Sequence, residues 1–465
     1  MQAETTRRFT SAYSAPICNS GAAPFLSYLS PDTFPKGLLD GSIPIPQQDV
    51  DWATRLTLEE IIKLSHQIKS ADRSLFSDSV TFTEDDFRYL WSSKREMTSS
   101  SPSSIHIGHY LAALRDPQFV TFYSNYWTDI LRFKVPPDRW FVGLQVALLK
   151  EPGNFNVERL RLIQLYEADF NGLDKWFAHK ITRLLIELGI IPEEHFAKKD
   201  CTVVDANMDK TLTFDLSRVS RVPMTNVSVD AANCFDRINH HILYPVSTLV
   251  CRGRDNPRPF QGKGQGSGGA PGAWLHHSSM AILAYLRRGF GSEFVNPVTT
   301  TSLGSMGRLF VDDTNLFNTL DPSGYSSVDS EELHADLLQE TQGSVDCWGS
   351  LLCAGGGTAK QAKCYWQPIF YENVDGVWHY RDVESVDVVM MVPQPDGTRV
   401  PIKKLALDEA PKELGVAESV TGGSQAQLDR MQSKFSTFVV SGHLQMIWKR
   451  LMRCLSHPTT GSYPL

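Results

Sequence analysis

The sequence lacks the cysteine patterns that mark zinc sites and disulfide frameworks. Its eight cysteines are scattered: no two are spaced C-x-x-C, and no cysteine–histidine cluster resembles a zinc finger or a zinc knuckle. Scattered thiols are typical of a reducing compartment. We therefore expect an intracellular protein without a zinc finger.

Membrane signals are also missing from the sequence. The N-terminal residues contain no apolar segment of the signal-peptide kind. No run of 18 apolar residues occurs anywhere in the chain. The sequence therefore predicts neither secretion nor a transmembrane helix, and it leaves the choice between nucleus and cytoplasm open.

Positive charge is in short supply. The formal net charge is −7, which is the wrong sign for a protein that binds nucleic acid over its whole surface. Contacts with phosphate groups would have to come from local basic stretches. One candidate strip combines basic and aromatic residues, although a solvated helix face is the simpler explanation. It comprises Arg159, Arg161, Lys175, Lys180 and Arg183, interleaved with Trp176 and Phe177.

The chain does contain enough apolar material for a sizeable core. Hydrophobic residues make up 42% of the 465 residues, which suits two or three domains or one large body with subdomains. Predicted helices and strands are mixed without regular βαβ alternation, so we predict an α+β fold. Residues 1–50 are predicted to form an irregular leader rich in proline and serine, and residues 51–135 a helical N-terminal extension.

Two acidic motifs carry the strongest functional signal. In the segment 309–317, apolar residues flank Asp312 and Asp313, which predicts two short strands around an acidic turn. In the segment 227–230, Asp230 ends a predicted apolar strand. Taken singly, the first motif could be an ordinary solvated turn and the second a helix N-cap.

Taken together, these acids predict a metal site. Phosphoryl transfer by the two-metal route needs several carboxylates at one point, and neighbouring strands of one sheet can bring Asp230 beside Asp312 and Asp313. Three carboxylates so close would repel one another and partly protonate without a cation. Oxygen ligands of this kind suit Mg²⁺ or Mn²⁺ rather than zinc.

A glycine-rich segment, residues 262–272, lies between the two motifs and precedes a predicted helix. Glycines allow a backbone to approach a ligand closely, and a helix N-terminus offers free N–H groups. The segment matches neither the P-loop pattern nor the dinucleotide-binding pattern. A flexible linker is the alternative reading.

The order of these features resembles the reverse transcriptases of non-LTR retrotransposons. The resemblance is to retrotransposon-like proteins of fungi and other eukaryotic microbes, and it covers residues from about 52 to 465. Further blocks carry it in the same order, namely residues 99–110, 159–171, 348–363 and 414–416. It implies a right-hand polymerase, with fingers and palm over residues 136–424 and a partial thumb-like helix over residues 425–465.

The resemblance also implies an activity and roles for the acids. It implies an RNA-directed DNA polymerase that uses an RNA template, a DNA primer and dNTPs. Asp230 and Asp312 would bind two Mg²⁺ (or Mn²⁺) ions, and Asp313 would support them.

Five further residues would contact the incoming nucleotide if the resemblance holds. Arg161 would pair with the triphosphate. Phe235 would lie under the sugar and exclude a 2′-OH, and Gln265 with Gly266 would face the nascent base pair. Lys363 would sit near the triphosphate as a charge or general acid, with Lys360 as a rival three residues away. Surface charge for Arg161 and Lys363, and core packing for Phe235, are the alternatives.

The sequence departs from the family pattern in two places. Only 28 residues, 237–264, separate Asp236 from Gln265, about half of what the resemblance implies, so we expect a shortened palm. The thumb is expected to be truncated. An inactive retroelement remnant that folds or binds RNA is therefore an alternative, and an RNA-dependent RNA polymerase is another, against which Phe235 argues.

Overall fold

A computed structural model describes most of the chain between residues 51 and 440. The described residues are 44–45, 51–71, 81–92, 94–96, 102–133, 135–156, 160–232, 234, 267–296, 299–423 and 425–440. The predicted leader lies almost wholly outside them, and so does the 237–264 segment. Phe235, Gln265 and Gly266 lie outside them too, so their proposed roles stay predictions.

Nine α-helices lie in these described ranges, and none of them is long and apolar enough to cross a membrane. They are α1 (Trp52–Ser70), α2 (Glu84–Ser92), α3 (Ile107–Ala113), α4 (Pro117–Phe133), α5 (Ala168–Glu187), α6 (Val203–Ser220), α7 (Ala270–Leu286), α8 (Glu331–Ala354) and α9 (Gln425–Val440).

Side-chain caps explain where several helices begin. The sequence predicts a capped start at Thr83, and the structure confirms it: the hydroxyl of Thr83 accepts from the Asp86 amide at 3.1 Å, while the Asp86 carboxylate accepts from the Thr83 amide at 3.0 Å. Asp51 caps α1 in the same manner, accepting from the Thr54 amide at 3.0 Å.

Fifteen short strands are found in the described residues. They are β1 (Leu144–Leu149), β2 (Leu160–Leu165), β3 (Met224–Asp230), β4 (Ser292–Val295), β5 (Ser302–Ser305), β6 (Gly307–Phe310), β7 (Asp313–Thr319), β8 (Tyr365–Ile369), β9 (Tyr371–Val374), β10 (Val377–Tyr380), β11 (Met391–Pro393), β12 (Arg399–Pro401), β13 (Lys403–Lys404), β14 (Lys412–Glu413) and β15 (Val416–Ala417).

The largest sheet has five strands in the order β13-β8-β3-β7-β6. All neighbouring pairs are antiparallel except β13 with β8. The described chain is therefore a mixed α/β structure with a mainly antiparallel sheet, which is compatible with the predicted α+β class. Every residue of the central strand β3 is buried, because both faces of the sheet are covered.

Helix α8 packs on one face of this sheet against β3 and β7, and α1 and α7 pack against α8. The core there includes Val227 and Val229 of β3, Leu316 of β7, and Tyr285 and Trp348 from the helices. A smaller cluster on the other side is built around Phe214 of α6, with partners from β3, β7, β8 and β9. The central strands are thus held from both sides, which fixes the positions of their ends.

A second, aromatic core lies in the N-terminal part of the described chain. Helices α2, α3, α4 and α5 pack there around Trp91, whose ring stacks on Tyr110 at 4.4 Å, and around the buried Trp127. At Gly172 of α5 the helices approach closely, since a Cβ atom there would lie 2.9 Å from Cδ2 of Leu90. This contact fixes the end of α2 against α5.

Candidate active site

The sheet brings the three predicted carboxylates to one point. The antiparallel register of β3 and β7 pairs Asp230 directly with Asp313. Asp312 lies in the turn between β6 and β7, and its carbonyl accepts from the Ala231 amide at 3.0 Å. The structure therefore confirms two predicted features: the pair of short strands around an acidic turn, and the strand that ends at Asp230. The catalytic and metal-binding roles stay predictions.

The acidic turn has an unusual backbone. Val311 has a φ of 59°, a conformation that a β-branched residue adopts only at a cost of order 1–3 kcal/mol. The indole N–H of Trp274, on α7, donates to the Val311 carbonyl. Val311 also packs against a small buried cluster that contains Trp274 and Leu352. Surrounding structure thus holds the turn in this conformation.

The charges at this point are not balanced. Burial raises the pKa of Asp312, and the negative charge of Asp230 raises it further, although Lys363 and Lys360 partly offset the rise. Burial also raises the pKa of Asp313 to about 6, with contributions from the charges of Asp312, Glu413 and Asp230. The described residues therefore leave negative charge that a cation would stabilise.

Lys363 is the cation nearest to Asp230. Its ammonium group donates to the Asp230 carboxylate, although its side chain remains 53% exposed. Burial lowers the pKa of Lys363, but the bond to Asp230 and the charge of Asp312 outweigh burial and raise it. Lys360 contacts Asp230 only through its backbone amide, at 2.8 Å from the Asp230 carbonyl. Of the two rivals, Lys363 is therefore the one whose side chain reaches the acids.

The donor set fits a divalent metal, although the described ranges contain no group of three or more His, Cys, Asp or Glu already arranged to hold one. Three carboxylates are hard oxygen ligands of the kind that Mg²⁺ prefers. The raised pKa values of Asp312 and Asp313 indicate negative charge that a bound cation would relieve. Lys363 takes one oxygen of Asp230 in this structure, so metal binding would compete with that ion pair.

Arg161 is not brought to the acids. It lies on β2, which forms a separate two-stranded hairpin with β1, and its side chain is exposed. Among the described residues, no hydrogen bond or ion pair joins it to Asp230, Asp312, Asp313 or Lys363. The contact between Arg161 and a triphosphate therefore stays a prediction. It would require one nucleotide to contact both the β1–β2 hairpin and the acids of the five-stranded sheet.

A buried ionic network under the acidic turn was missed from the sequence. Glu413 accepts from Lys210 Nζ at 2.6 Å, from Arg308 Nη2 at 2.9 Å and from Asn315 Nδ2 at 3.2 Å. Tyr365 donates its hydroxyl to the same carboxylate. Arg308 and Asn315 face each other across β6 and β7, so Glu413 joins the two strands that carry Asp312 and Asp313.

The electrostatics of Glu413 are the reverse of those at the turn. Burial would raise the pKa of Glu413, but the charges of Lys210 and Arg308 outweigh burial and hold it well below the ordinary value. Its carboxylate is therefore ionised and satisfied. No local sequence pattern points to this residue, because Arg308 lies 105 positions away.

The chain was also compared with known proteins. No model of a protein family matches it. No curated protein matches it with significance. The interpretation of the site therefore depends on the geometry of the carboxylates and on the sequence resemblance.

Proposed function

We propose that the protein is an RNA-directed DNA polymerase of the non-LTR retroelement type, which transfers nucleotides from dNTPs to a primer 3′-OH. The observation that carries the proposal is the pairing of Asp230 with Asp313 across β3 and β7, with Asp312 in the adjoining turn. Acids at the ends of two adjacent antiparallel strands are the arrangement that a two-metal polymerase palm requires. The order of motifs along the chain supports the same proposal.

Each described residue of the site has a chemical task in this proposal. Asp230 and Asp312 would hold the metal ions, and Asp313 would add negative charge behind them. When bound, the ions would lower the pKa of the primer hydroxyl and neutralise the triphosphate. Lys363 would move from Asp230 to the leaving phosphates, where its ammonium can stabilise charge or donate a proton.

An inactive remnant is the second candidate function. The specific observation that favours it is the ion pair between Lys363 and Asp230, which occupies an oxygen that a metal ion would need. This candidate predicts no primer extension with Mg²⁺ or Mn²⁺. An RNA-dependent RNA polymerase predicts extension with NTPs in place of dNTPs.

Primer extension on an RNA template tests the proposal. Purified protein with a DNA primer, dNTPs and Mg²⁺ should extend the primer, and Asp312→Asn should reduce extension by at least about 100-fold, since a metal ligand supplies several kcal/mol to such a reaction. Asp387→Asn is the matched control, because Asp387 is an exposed acid in the loop between β10 and β11. Equal extension by Asp312→Asn and by the wild type would contradict the site. Extension with NTPs alone would contradict the substrate.

A further inference from the structure

Three segments of the chain meet beside α5, away from the carboxylates. Helix α2 ends at Ser92, and the amide of Lys94 donates to the Trp91 carbonyl at 2.9 Å, which keeps the following chain close to the helix end. The end of α2 lies against α5 at Gly172. Lys175 comes three residues after Gly172, one helical turn further along α5. The contact at Gly172 thus brings Lys94 beside Lys175.

The third segment leads into α7. A Cβ atom on Gly268 would lie 2.8 Å from Cβ of Lys175, so the backbone at Gly268 passes directly over this part of α5. His179 is one further turn along α5 from Lys175, at the i+4 position that shares its face. We call Lys94, Lys175 and His179 the α5 basic cluster.

These groups influence one another's protonation. Burial lowers the pKa of Lys94, and the charge of Lys175 lowers it further. Burial likewise lowers the pKa of His179, with added effects from Lys175 and Lys94. Positive groups that repel each other in this manner gain stability when an anion lies between them.

No acid neutralises the cluster in the described ranges, where no ion pair involves Lys94 or Lys175. Asp174, the neighbour of Lys175, already accepts from the Gly269 amide at 2.8 Å and from the Ser267 hydroxyl. It is therefore committed to the turn that begins α7. The two lysines therefore form a local basic patch on a chain whose formal net charge is −7.

The cluster is not the basic and aromatic strip that the sequence suggests. Trp176 is only 6% exposed and belongs to the aromatic core, so its ring is not open to a stacking base. Lys180 lies over that ring, with Nζ at 5.4 Å from its centroid. The charge of Lys175 instead acts on Lys94 and His179, neither of which belongs to the predicted strip.

We propose that the α5 basic cluster binds the phosphate backbone of single-stranded RNA. Two lysines on adjoining elements suit consecutive phosphates, and the neighbouring imidazole of His179 can add an N–H donor. The phosphate chemistry follows from the cluster alone. The choice of RNA over DNA rests on the proposed function, in which RNA is the template.

The position of the cluster links it to the candidate active site. Gly268 and Trp274 are six residues apart on the way into α7, a rise of about 9 Å along a helix. Trp274 in turn donates to the Val311 carbonyl of the acidic turn. The start of α7 therefore connects the two sites, since the backbone just before it covers Lys175 and its Trp274 contacts the acidic turn.

Salt-dependent RNA binding tests the proposal without any catalysis. Fluorescence anisotropy with a labelled single-stranded 20-mer RNA should be measured from 50 to 200 mM KCl. For Lys94→Gln and Lys175→Gln, the slope of log K against log salt should fall in magnitude by about 0.7 each, and by about 1.4 in the double variant. Lys63→Gln is the matched control, because Lys63 is an exposed lysine of α1 that already pairs with Glu60 and should leave the slope unchanged.

Further variants separate this site from folding and from the polymerase proposal. The double variant Lys94→Arg with Lys175→Arg should keep the wild-type slope, since it keeps both charges. Asp312→Asn should also keep the wild-type slope, even though we expect it to reduce primer extension by at least about 100-fold. An unchanged slope in the double Gln variant would overturn the proposed site. A reduced slope with duplex DNA but not with single-stranded RNA would overturn the choice of RNA.

Discussion

Two carboxylate sites contact the β6–β7 hairpin, one at its acidic turn and one at Glu413 of β14, and their electrostatic surroundings are opposite. At the turn, burial and mutual repulsion raise the pKa of Asp312 and Asp313. At the base of the hairpin, Lys210 and Arg308 outweigh burial and lower the pKa of Glu413. The fold places two cations in contact with the single carboxylate of Glu413. Among the described residues, Lys363 is the cation that bonds to the group of three, and Lys360 acts on that group through its charge.

This difference separates a carboxylate that the protein itself neutralises from a group of carboxylates that a bound cation would complete. A buried acid with its cations and hydrogen bonds in place has nothing left to bind, and its removal is expected to affect folding. Neighbouring buried acids without enough cations to neutralise them lower the stability of the folded protein. Such a cost is expected at sites that bind a ligand, where the ligand supplies the missing charge.

The largest expected effect is on stability, from Glu413→Gln. This change leaves Lys210 and Arg308 buried without their anion, which should lower the free energy of unfolding by about 3–5 kcal/mol. Urea denaturation followed by circular dichroism measures it. The control is Glu409→Gln, which removes an exposed partner of Lys403 and should cost less than about 1 kcal/mol. If the two variants lost similar amounts of unfolding free energy, the conclusion that Glu413 stabilises the fold through its buried ion pairs would be wrong.

A smaller effect is expected from Trp274→Phe. The change removes the donor to the Val311 carbonyl and leaves the aromatic packing largely intact, so we expect a loss of about 1–2 kcal/mol. It should also reduce kcat for primer extension more than it changes KM for dNTP, because the turn that carries Asp312 is no longer held.

Trp348→Phe serves as the matched control for that experiment. Trp348 is a buried tryptophan of α8 whose indole N–H has no protein partner among the described residues. It should lose packing energy without a selective effect on kcat. A kcat for Trp274→Phe no lower than that of Trp348→Phe would mean that the indole bond does not position the turn.

The third expected effect is a change in the pH dependence of stability. The folded-state pKa of Asp313, about 6, lies above the ordinary value of 3.8, so the folded protein binds more protons between these pH values than the unfolded chain does. The free energy of unfolding contributed by this group therefore falls as pH rises from about 4 to about 6. Asp313→Asn should remove that fall and make the protein more stable than the wild type at pH 7.

Thermal unfolding at pH 4, 5, 6 and 7 measures this effect without added metal. Asp387→Asn, at an exposed loop position, should follow the wild-type profile. Destabilisation by Asp313→Asn at pH 7 would show that Asp313 is satisfied in the folded protein, as Glu413 is. The contrast between the two carboxylate sites would then disappear.

Local patterns predicted the elements that position the candidate site. The strand ending at Asp230, the hairpin around Asp312 and Asp313, and the capped helix after Thr83 each depend on residues within a few positions of one another. The helix predicted over residues 331–352 is observed as Glu331–Ala354. Ser330 caps its start, and apolar residues recur along it at helical spacing. Such features are set by local geometry, so a single sequence contains them.

Features that depend on distant residues were not predicted. Glu413 bonds to Lys210, which is 203 positions away in the sequence, and to Arg308, which is 105 positions away. No sequence pattern near Glu413 indicates that it is buried. Helix α6 was also missed, although Thr202 and Asp205 form a capping box at its start that could have indicated it. Its apolar face is short, which weakens the periodic signal.

Binding of Mn²⁺ to the purified protein tests the contrast between the two carboxylate sites most directly. Isothermal titration calorimetry at pH 7 should show Mn²⁺ binding to the wild type and to Asp387→Asn, and markedly weaker binding to Asp312→Asn and Asp230→Asn. This result would mean that the unbalanced carboxylates form a metal site. Equal binding by Asp312→Asn and the wild type, or no binding by the folded wild type, would contradict that conclusion.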